Sequence, residues 1–319
     1  MGSLHSLIEE KGRLEAMREG SFARREIEAA SAYMAREGTG VEFIYSGLCQ
    51  AALPHRRLPD GKGWQIISDH ITLIVEPGMV GGIDSPRHIG VPYGSRARLI
   101  MLYLQSEALR TGDPRVHLGG SMRAWLKRMG VSWGGKSGIA IRDQALRISK
   151  CHISFESRAF RVIGMKSQTI VEDAMFLNDG NQLDQGSLFP EIATLSQKFF
   201  EGLQQHSVPL EEAAIRTISN NSVALDLYAW LAYRLWALKS PCQIGWPSLK
   251  NQFGQGFGML RHFRATFNDN LRLALAVYRD ARVEVDDTGI TLHPSPPPVR
   301  RRLVANGRGK VPTQTSLLA

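Results

Sequence analysis

The chain has 319 residues, 43% of them hydrophobic, with a net charge of +9 and a pI of about 9.7. That length suits about two packed domains, and the hydrophobic fraction argues against wholesale disorder. The excess of cations points to a polyanionic partner, nucleic acid or an acidic membrane surface. No uninterrupted apolar run approaches ~18 residues, so no membrane span is expected. The first twenty residues lack the apolar core of a signal peptide, which implies a cytoplasmic protein. Cys49, Cys151 and Cys242 stand far apart with no metal-ligand spacing, so each reads as a small buried hydrophobe in a reducing cytosol, and no metal or cofactor is expected.

Residues 3–37, rich in Glu, Arg and Ala, carry Leu4, Leu7, Ile8, Leu14, Met17 and Phe22 and read as one or two amphipathic helices, a helical arm over residues 1–37. Val41–Tyr45 and His70–Val75 are β-branched and apolar, and predict a strand pair joined by a Pro/Gly-rich loop. Ser95–Thr111 is a strong apolar helix stopped by Gly112. A short helix from Ser121 to Met129 follows, ended by Gly130. Ser137 caps the next helix, which runs to Lys150 with Ile141, Ala145 and Ile148 inward and Arg142, Gln144, Arg147 and Lys150 outward. Cys151–Phe155 and Phe160–Met165 read as a hairpin, a wing beside that helix.

The polar stretch 178–190 reads as a linker between a first domain, 38–177, and a second, 191–295. Ile192–Gln204 and Leu210–Ile218 look helical. Ser222–Leu238 is a nearly all-apolar spine, barred from continuing by Pro241. A short helix begins at Trp246 and ends before Gly254. A longer basic helix runs from Met259 to about Arg279, with Leu260, Phe263, Phe267, Leu271 and Ala274 inward. Ala281–Val285 and Ile290–His293 flank a turn signal at Asp286–Gly289. Residues 296–319, Pro-rich and then basic, read as a disordered tail.

One order therefore occurs twice, over Gly94–Lys166 and Ser222–His293: a long apolar helix, a short helix, a basic helix, then strand–turn–strand. Each copy reads as a helix-turn-helix with a β-wing, giving an α+β, predominantly α fold of tandem winged-helix domains. In residues 121–150, seven cations face the single acid Asp143. A solvated helix face ordinarily interleaves both signs, so a phosphate backbone is the natural partner. The DNA-binding candidates here are Arg123, Lys127, Lys136, Ser137, Arg142, Gln144, Arg147 and Lys150, with Arg158 and Arg161 on the wing. Arg142 and Arg147 suit guanine, and Gln144 suits adenine. In the second copy Arg261, Arg264, Asn268 and Arg272 form one outer stripe, with Asn268 suited to a base despite its poor helix propensity. Arg300, Arg301 and Arg302 add phosphate contacts from the tail. Residues 130–137, GVSWGGKS, fit the nucleotide-binding pattern G-x-x-x-x-G-K-[ST]. The segment before them is amphipathic and helical rather than an apolar strand, so they read as a turn between helices. No nucleophile–base signature is present, and the chain reads as a non-enzyme.

The blocks YGSRARLIMLYLQSEALRTGDPRVHLGGSMRAWLKRMG and QALRISKCHISF, followed by SVALDLYAWLAYRL, GWPSLKNQFG, FRATFNDNLRLALAVY and ARVEVDDTGITLHPSPPPV, lie in one order between residues 93 and 299. They resemble the plasmid-encoded RepA family of replication initiators. The resemblance implies binding to repeated origin sequences (iterons), local opening of an A·T-rich segment, recruitment of a host initiator and helicase, and repression of its own gene by a homodimer in equilibrium with monomer. Two other readings remain: a winged-helix transcriptional regulator without a replication role, and a P-loop nucleotide-binding protein.

Overall fold

The computed structural model describes residues 4–36, 40–68, 71–81, 85–132, 134–157, 170–176 and 190–299. The described residues form a mixed α/β fold that divides into two compact units: a middle unit, within Phe43–Ser207, and a terminal unit that joins the residues up to Glu42 to residues 208–299.

The N-terminal helices α1 (Leu4–Glu19) and α2 (Arg24–Met34) belong to the terminal unit. Positive φ at Gly12 (78°) breaks α1, a backbone that glycine adopts without strain. Leu4, Ala16, Ile27 and Ala30 bury themselves in one cluster with Ala276, near the chain's other end. The stretch expected as a helical arm packs into a buried cluster of the terminal unit.

Strand β1 (Val41–Tyr45) leads into the middle unit and α3 (Ser46–Gln50). The strands β2 (Trp64–Ile67), β3 (Ile71–Glu76), β4 (Gly78–Val80) and β5 (Arg87–Ile89) follow. Helix α4 (Gly94–Thr111) is the unit's spine, with Leu99, Ile100, Tyr103 and Leu104 at most 2% exposed. Gly112, at φ 72°, ends it in the left-handed conformation that closes helices. Gln105 and Ser106 are fully buried on α4, and their side chains accept hydrogen bonds from the backbone N–H groups of Tyr45 (2.7 Å) and Phe43 (2.8 Å). A buried amide or hydroxyl is tolerated on those terms.

Then come β6 (Arg115–His117), α5 (Gly119–Arg128), α6 (Gly135–Lys150), β7 (His152–Ser157), β8 (Val171–Phe176), β9 (Pro190–Leu195) and α7 (Gln197–Gln205). Strand β7 pairs antiparallel with β3, Phe155 opposite Leu73, in a sheet ordered β2–β3–β7. On one edge β7 finds its partner about eighty residues back in the chain; the second strand of the expected hairpin, 160–165, lies outside the described residues. The expected pair of 41–45 with 70–75 is not made, because β3 is flanked by β2 and β7. Instead β8 pairs with β9, and β9 with β6, in the order β6–β9–β8. Most of 178–190, read from sequence as a linker, lies outside the described residues, between two strands of this one sheet. Residues 192–195, expected as helix, are the end of β9.

Strand β10 (Ser207–Glu211) returns the chain to the terminal unit, followed by α8 (Glu212–Ile218) and α9 (Ser222–Arg234). The Asn221 side chain caps α9, accepting from the N–H groups of Val223 and Ala224, both at 3.1 Å. The helix is buried almost all round, as its composition requires. β11 (Cys242–Gly245), α10 (Trp246–Phe253), α11 (Leu260–Ala276), β12 (Val283–Val285) and β13 (Gly289–Leu292) complete the unit, with sheet order β11–β13–β12. Asp286 closes the β12–β13 turn by accepting from the N–H groups of Thr288 and Gly289 and from the Thr288 hydroxyl, which holds its carboxyl below the usual carboxylate range. Gly289 is obligatory there, since a Cβ would stand 2.0 Å from the Ile244 carbonyl oxygen.

Both units thus contain helix, strand, helix, helix, strand, strand, with the three strands ordered first–third–second. In the middle unit, β7 and its sheet are added between the last helix and the last two strands. Among the described residues no helix is long and apolar enough to cross a membrane.

Candidate nucleic-acid interface

In the middle unit the short helix α5 buries Met122, Trp125, Leu126 and Met129, at helical spacing, and exposes Arg123, Lys127 and Arg128. Trp125 packs against Tyr103 of α4, with ring centroids 5.6 Å apart. Gly130, at φ 74°, turns the chain after α5, and Val131 seals the corner through a 2.9 Å bond to the Leu126 carbonyl. Gly134 caps α6, three residues before the expected cap Ser137. Ser137 therefore sits inside the first turn rather than at the cap, and its hydroxyl oxygen is buried with no hydrogen-bond partner among the described residues. The helix α5 precedes GVSWGGKS, where a nucleotide-binding loop of that pattern needs a strand.

Helix α6 buries Ile141, Ala145 and Ile148 and leaves Lys136 and Lys150 exposed and Arg142 half-buried. Ile139, on the outer side, is 63% exposed. Two expected base readers do not face outward. Gln144 is 3% exposed: its Oε1 accepts from the Tyr93 N–H at 2.7 Å, and its Nε2 donates to Asp143 at 2.8 Å. The Arg147 side chain is 4% exposed. Its Nε donates to both Asp143 oxygens (3.0 and 2.9 Å), Nη1 stands 3.6 Å from Asp60 and donates to the Val91 carbonyl at 3.4 Å, and the guanidinium lies over the Tyr93 ring at 5.4 Å. A buried cation persists only with its charge and donors matched, and here they are. The Asp60 carboxyl is held below the usual range by Arg57, with Arg147 adding to it. Asp143, the one acid of residues 121–150, is thus taken up by Arg147 and Gln144.

In the terminal unit Trp246 is the hinge of the corresponding surface. It is buried, its Nε1 donates to the Asp286 carbonyl at 3.2 Å, and its ring meets Phe267 edge-on at 5.8 Å. Arg264 of α11 lies over the same ring at 5.0 Å and pairs with Asp287 at 3.1 Å, which ties the helix to the β12–β13 turn. Its side chain remains 35% exposed. Arg261 is exposed, beside Met259 at 55% exposure. The expected single stripe is divided further along. Asn268 has its Oδ1 buried with no hydrogen-bond partner among the described residues, so that oxygen is turned away from any groove. Arg272, exposed, stands 3.7 Å from Glu26 of α2. Burial pushes the Glu26 carboxyl up, and Arg272 opposes the shift. Asn270 is structural: its Oδ1 accepts from Asn221 at 2.6 Å, and its Nδ2 donates to the Thr266 carbonyl.

Arg158, Arg161, Arg300, Arg301 and Arg302 lie outside the described residues. Cys49 and Cys151 are buried and Cys242 is half-buried, all as free thiols, and burial pushes the Cys151 thiol up. Sequence reasoning missed Asp287 as the partner of Arg264. It also missed the exposure of Ile139 and Met259, although Ile139 stands two residues before the buried Ile141 and so lies off the core stripe.

Two crystal structures of domains 2 and 3 of RctB are similar to this chain at 12% and 13% identity, with TM-scores of 0.48 and 0.47; each covers 77% of this chain, and 95% and 94% of the other chain. No curated protein matches in sequence. Residues 91–245, from just before α4 to the end of β11, match the family model for the plasmid-encoded RepA protein. Over those residues the chain is similar to the plasmid-encoded RepA family, a family of plasmid replication initiators.

Proposed function

We propose that the chain initiates plasmid replication by binding repeated origin sequences as a double-stranded DNA-binding protein with two winged helices, α5–α6 and α10–α11 being their helix-turn-helix pairs. The observation that carries this reading is the repeated first–third–second strand order behind a short helix and a longer one, with cations facing outward in both units. Lys127, Lys136 and Arg142 in one unit, and Arg261 and Arg264 in the other, supply phosphate contacts and hence salt-dependent affinity. Strands β8–β9 and β12–β13 serve as the wings. Several copies on adjacent repeats strain the duplex and lower the cost of opening nearby A·T pairs, where a host initiator and helicase are recruited. Monomers initiate, and a homodimer represses the chain's own gene.

The test is footprinting on the DNA flanking the gene, across a salt series with random duplex as competitor. Protection of tandem repeats, with log K falling by about 0.9 per neutralised phosphate for each unit of log salt, is expected. A plasmid lacking any other origin should then replicate when given the gene and those repeats. Equal affinity for any duplex would reduce the protein to a basic DNA binder. Repeat binding without plasmid maintenance would make it a transcriptional regulator.

A further inference from the structure

With Gln144 and Arg147 occupied inside the middle unit, the side chains that α6 still offers outward near its N-terminus are few: Lys136, Ile139 and Arg142. They lie three residues apart and form one stripe, an aliphatic side chain between two cations. Ile139 is 63% exposed, whereas Ile141, Ala145 and Ile148 on the opposite side are at most 3% exposed. A β-branched residue on the outer face of a helix gains nothing from burial and little from propensity. Single exposed apolar residues are common on protein surfaces, but an exposed apolar residue beside a cation also stands at the head of the corresponding helix in the terminal unit. At the head of α11, Met259 is 55% exposed and Leu260 37%, directly before exposed Arg261. Recognition helices meet base edges with their N-terminal residues. The apolar group that the major groove offers there is the C5-methyl of thymine.

We infer that Ile139 is a specificity-determining residue that packs on a thymine C5-methyl in the major groove, while Lys136 and Arg142 on either side hold the neighbouring phosphates. This rests on the DNA-binding reading above and names which chemical feature of the repeat α6 recognises. Met259 is the corresponding group in the terminal unit.

The experiment uses the full chain and a duplex carrying the protected repeat, with each thymine replaced in turn by deoxyuridine. The replacement removes one methyl and leaves the hydrogen-bonding edges and the backbone charge unchanged. Wild-type protein should lose about fourfold in affinity at one thymine in the α6 footprint, the effect of burying one methyl-sized group. Ile139→Ala should bind the thymine duplex more weakly by a similar factor, with an unchanged salt slope, and should no longer distinguish thymine from deoxyuridine at that position. The variant sits on an exposed helix face and swaps in a better helix former, so its circular dichroism should match wild type. Tight repeat binding with no deoxyuridine effect, or an Ile139→Ala protein that still discriminates, overturns the inference and leaves the DNA-binding reading standing. Absence of repeat binding at every salt concentration overturns both.

Discussion

In the middle unit α6 is fixed from within, by Arg147 enclosed among Asp143, Asp60, the Val91 carbonyl and the Tyr93 ring, all within ninety residues of chain. In the terminal unit α11 is fixed from far away. His5 bonds the Ala276 carbonyl at its C-terminal end, Glu9 pairs with Arg279 just beyond it, Glu26 pairs with Arg272, and Ile27 and Ala30 share a buried cluster with Ala276. The two helices hold the same place in the same order of elements. Each carries an arginine that stacks on an aromatic ring and pairs with a carboxylate, yet Arg147 is enclosed and Arg264 is one-third exposed. The guanidinium that braces α6 is lost to a ligand, whereas Arg264 of α11 keeps part of its surface open.

The largest effect that would separate the two is on stability. Arg147→Met leaves two carboxylates short of their counter-charge and should cost the middle unit roughly 2–4 kcal/mol, since hydrogen bonds to charged groups are each worth about 1.5–3 kcal/mol. Arg264→Met should leave stability nearly unchanged and lower the salt slope of DNA binding by about 1. Urea unfolding, with amide exchange resolved over residues 93–150, reads the first; binding across salt reads the second. An Arg147→Met protein with native stability and a reduced salt slope would invert the comparison.

The same contrast shows what was legible in the chain. The helices α4, α5, α9, α10 and the body of α11 follow from apolar spacing and from stops at Gly112, Gly130, Pro241 and Gly254, and so does their repeated order. Strand partners did not follow. Nothing local to 152–157 says that Leu73 will stand opposite Phe155, because pairing is settled by what the finished core leaves open. The docking of α1 and α2 beside α11 spans more than two hundred residues and has no local signature at all. Gln144 and Arg147 were misplaced for another reason. Position 144 is three after Ile141 and four before Ile148, squarely within the buried arc. Its polar identity suggested an outward face, where the spacing already placed it inside.

The external brace should be sensitive to acid. Burial chiefly, and Arg279 after it, hold the His5 imidazole below its usual value of 6.5, against the opposing pull of its bond to Ala276 and of Glu9 and Asp280. The unfolded chain therefore takes up this proton first. Stability from His5 is complete above about 6.5 and is lost as the pH falls through that value toward the depressed folded one. Glu26 and Glu211, pushed up by burial, act with the opposite sign: their contribution is lost as the pH rises through the carboxylate range, largely below this window. Thermal unfolding of the terminal unit should weaken from pH 7.5 to 6. The same scan of His5→Gln should be flat by comparison, and about 1 kcal/mol less stable at pH 7.5 where the bond to Ala276 is weakened. Parallel pH curves for the two proteins would mean that His5 does not couple the N-terminal helix to α11.

The smallest effect is the sharpest on the ligand side. Asp287 is fully exposed and pairs with Arg264, whose guanidinium also rests on Trp246. Asp287→Asn removes a charge that competes with phosphate for Arg264 and that repels the backbone of an approaching duplex. The ring still positions the guanidinium, so little is lost in organisation. Affinity for origin DNA should rise by about two- to fivefold at low salt, with a steeper salt slope and an unchanged melting temperature. The corresponding change in the middle unit, Asp143→Asn, should do the reverse. It strips a partner from the enclosed Arg147, cannot release that arginine to the surface, and should lower stability without steepening the slope. If both variants tightened DNA binding alike, the enclosed and the half-exposed arginine would be doing the same job, and the distinction between the two helices would collapse.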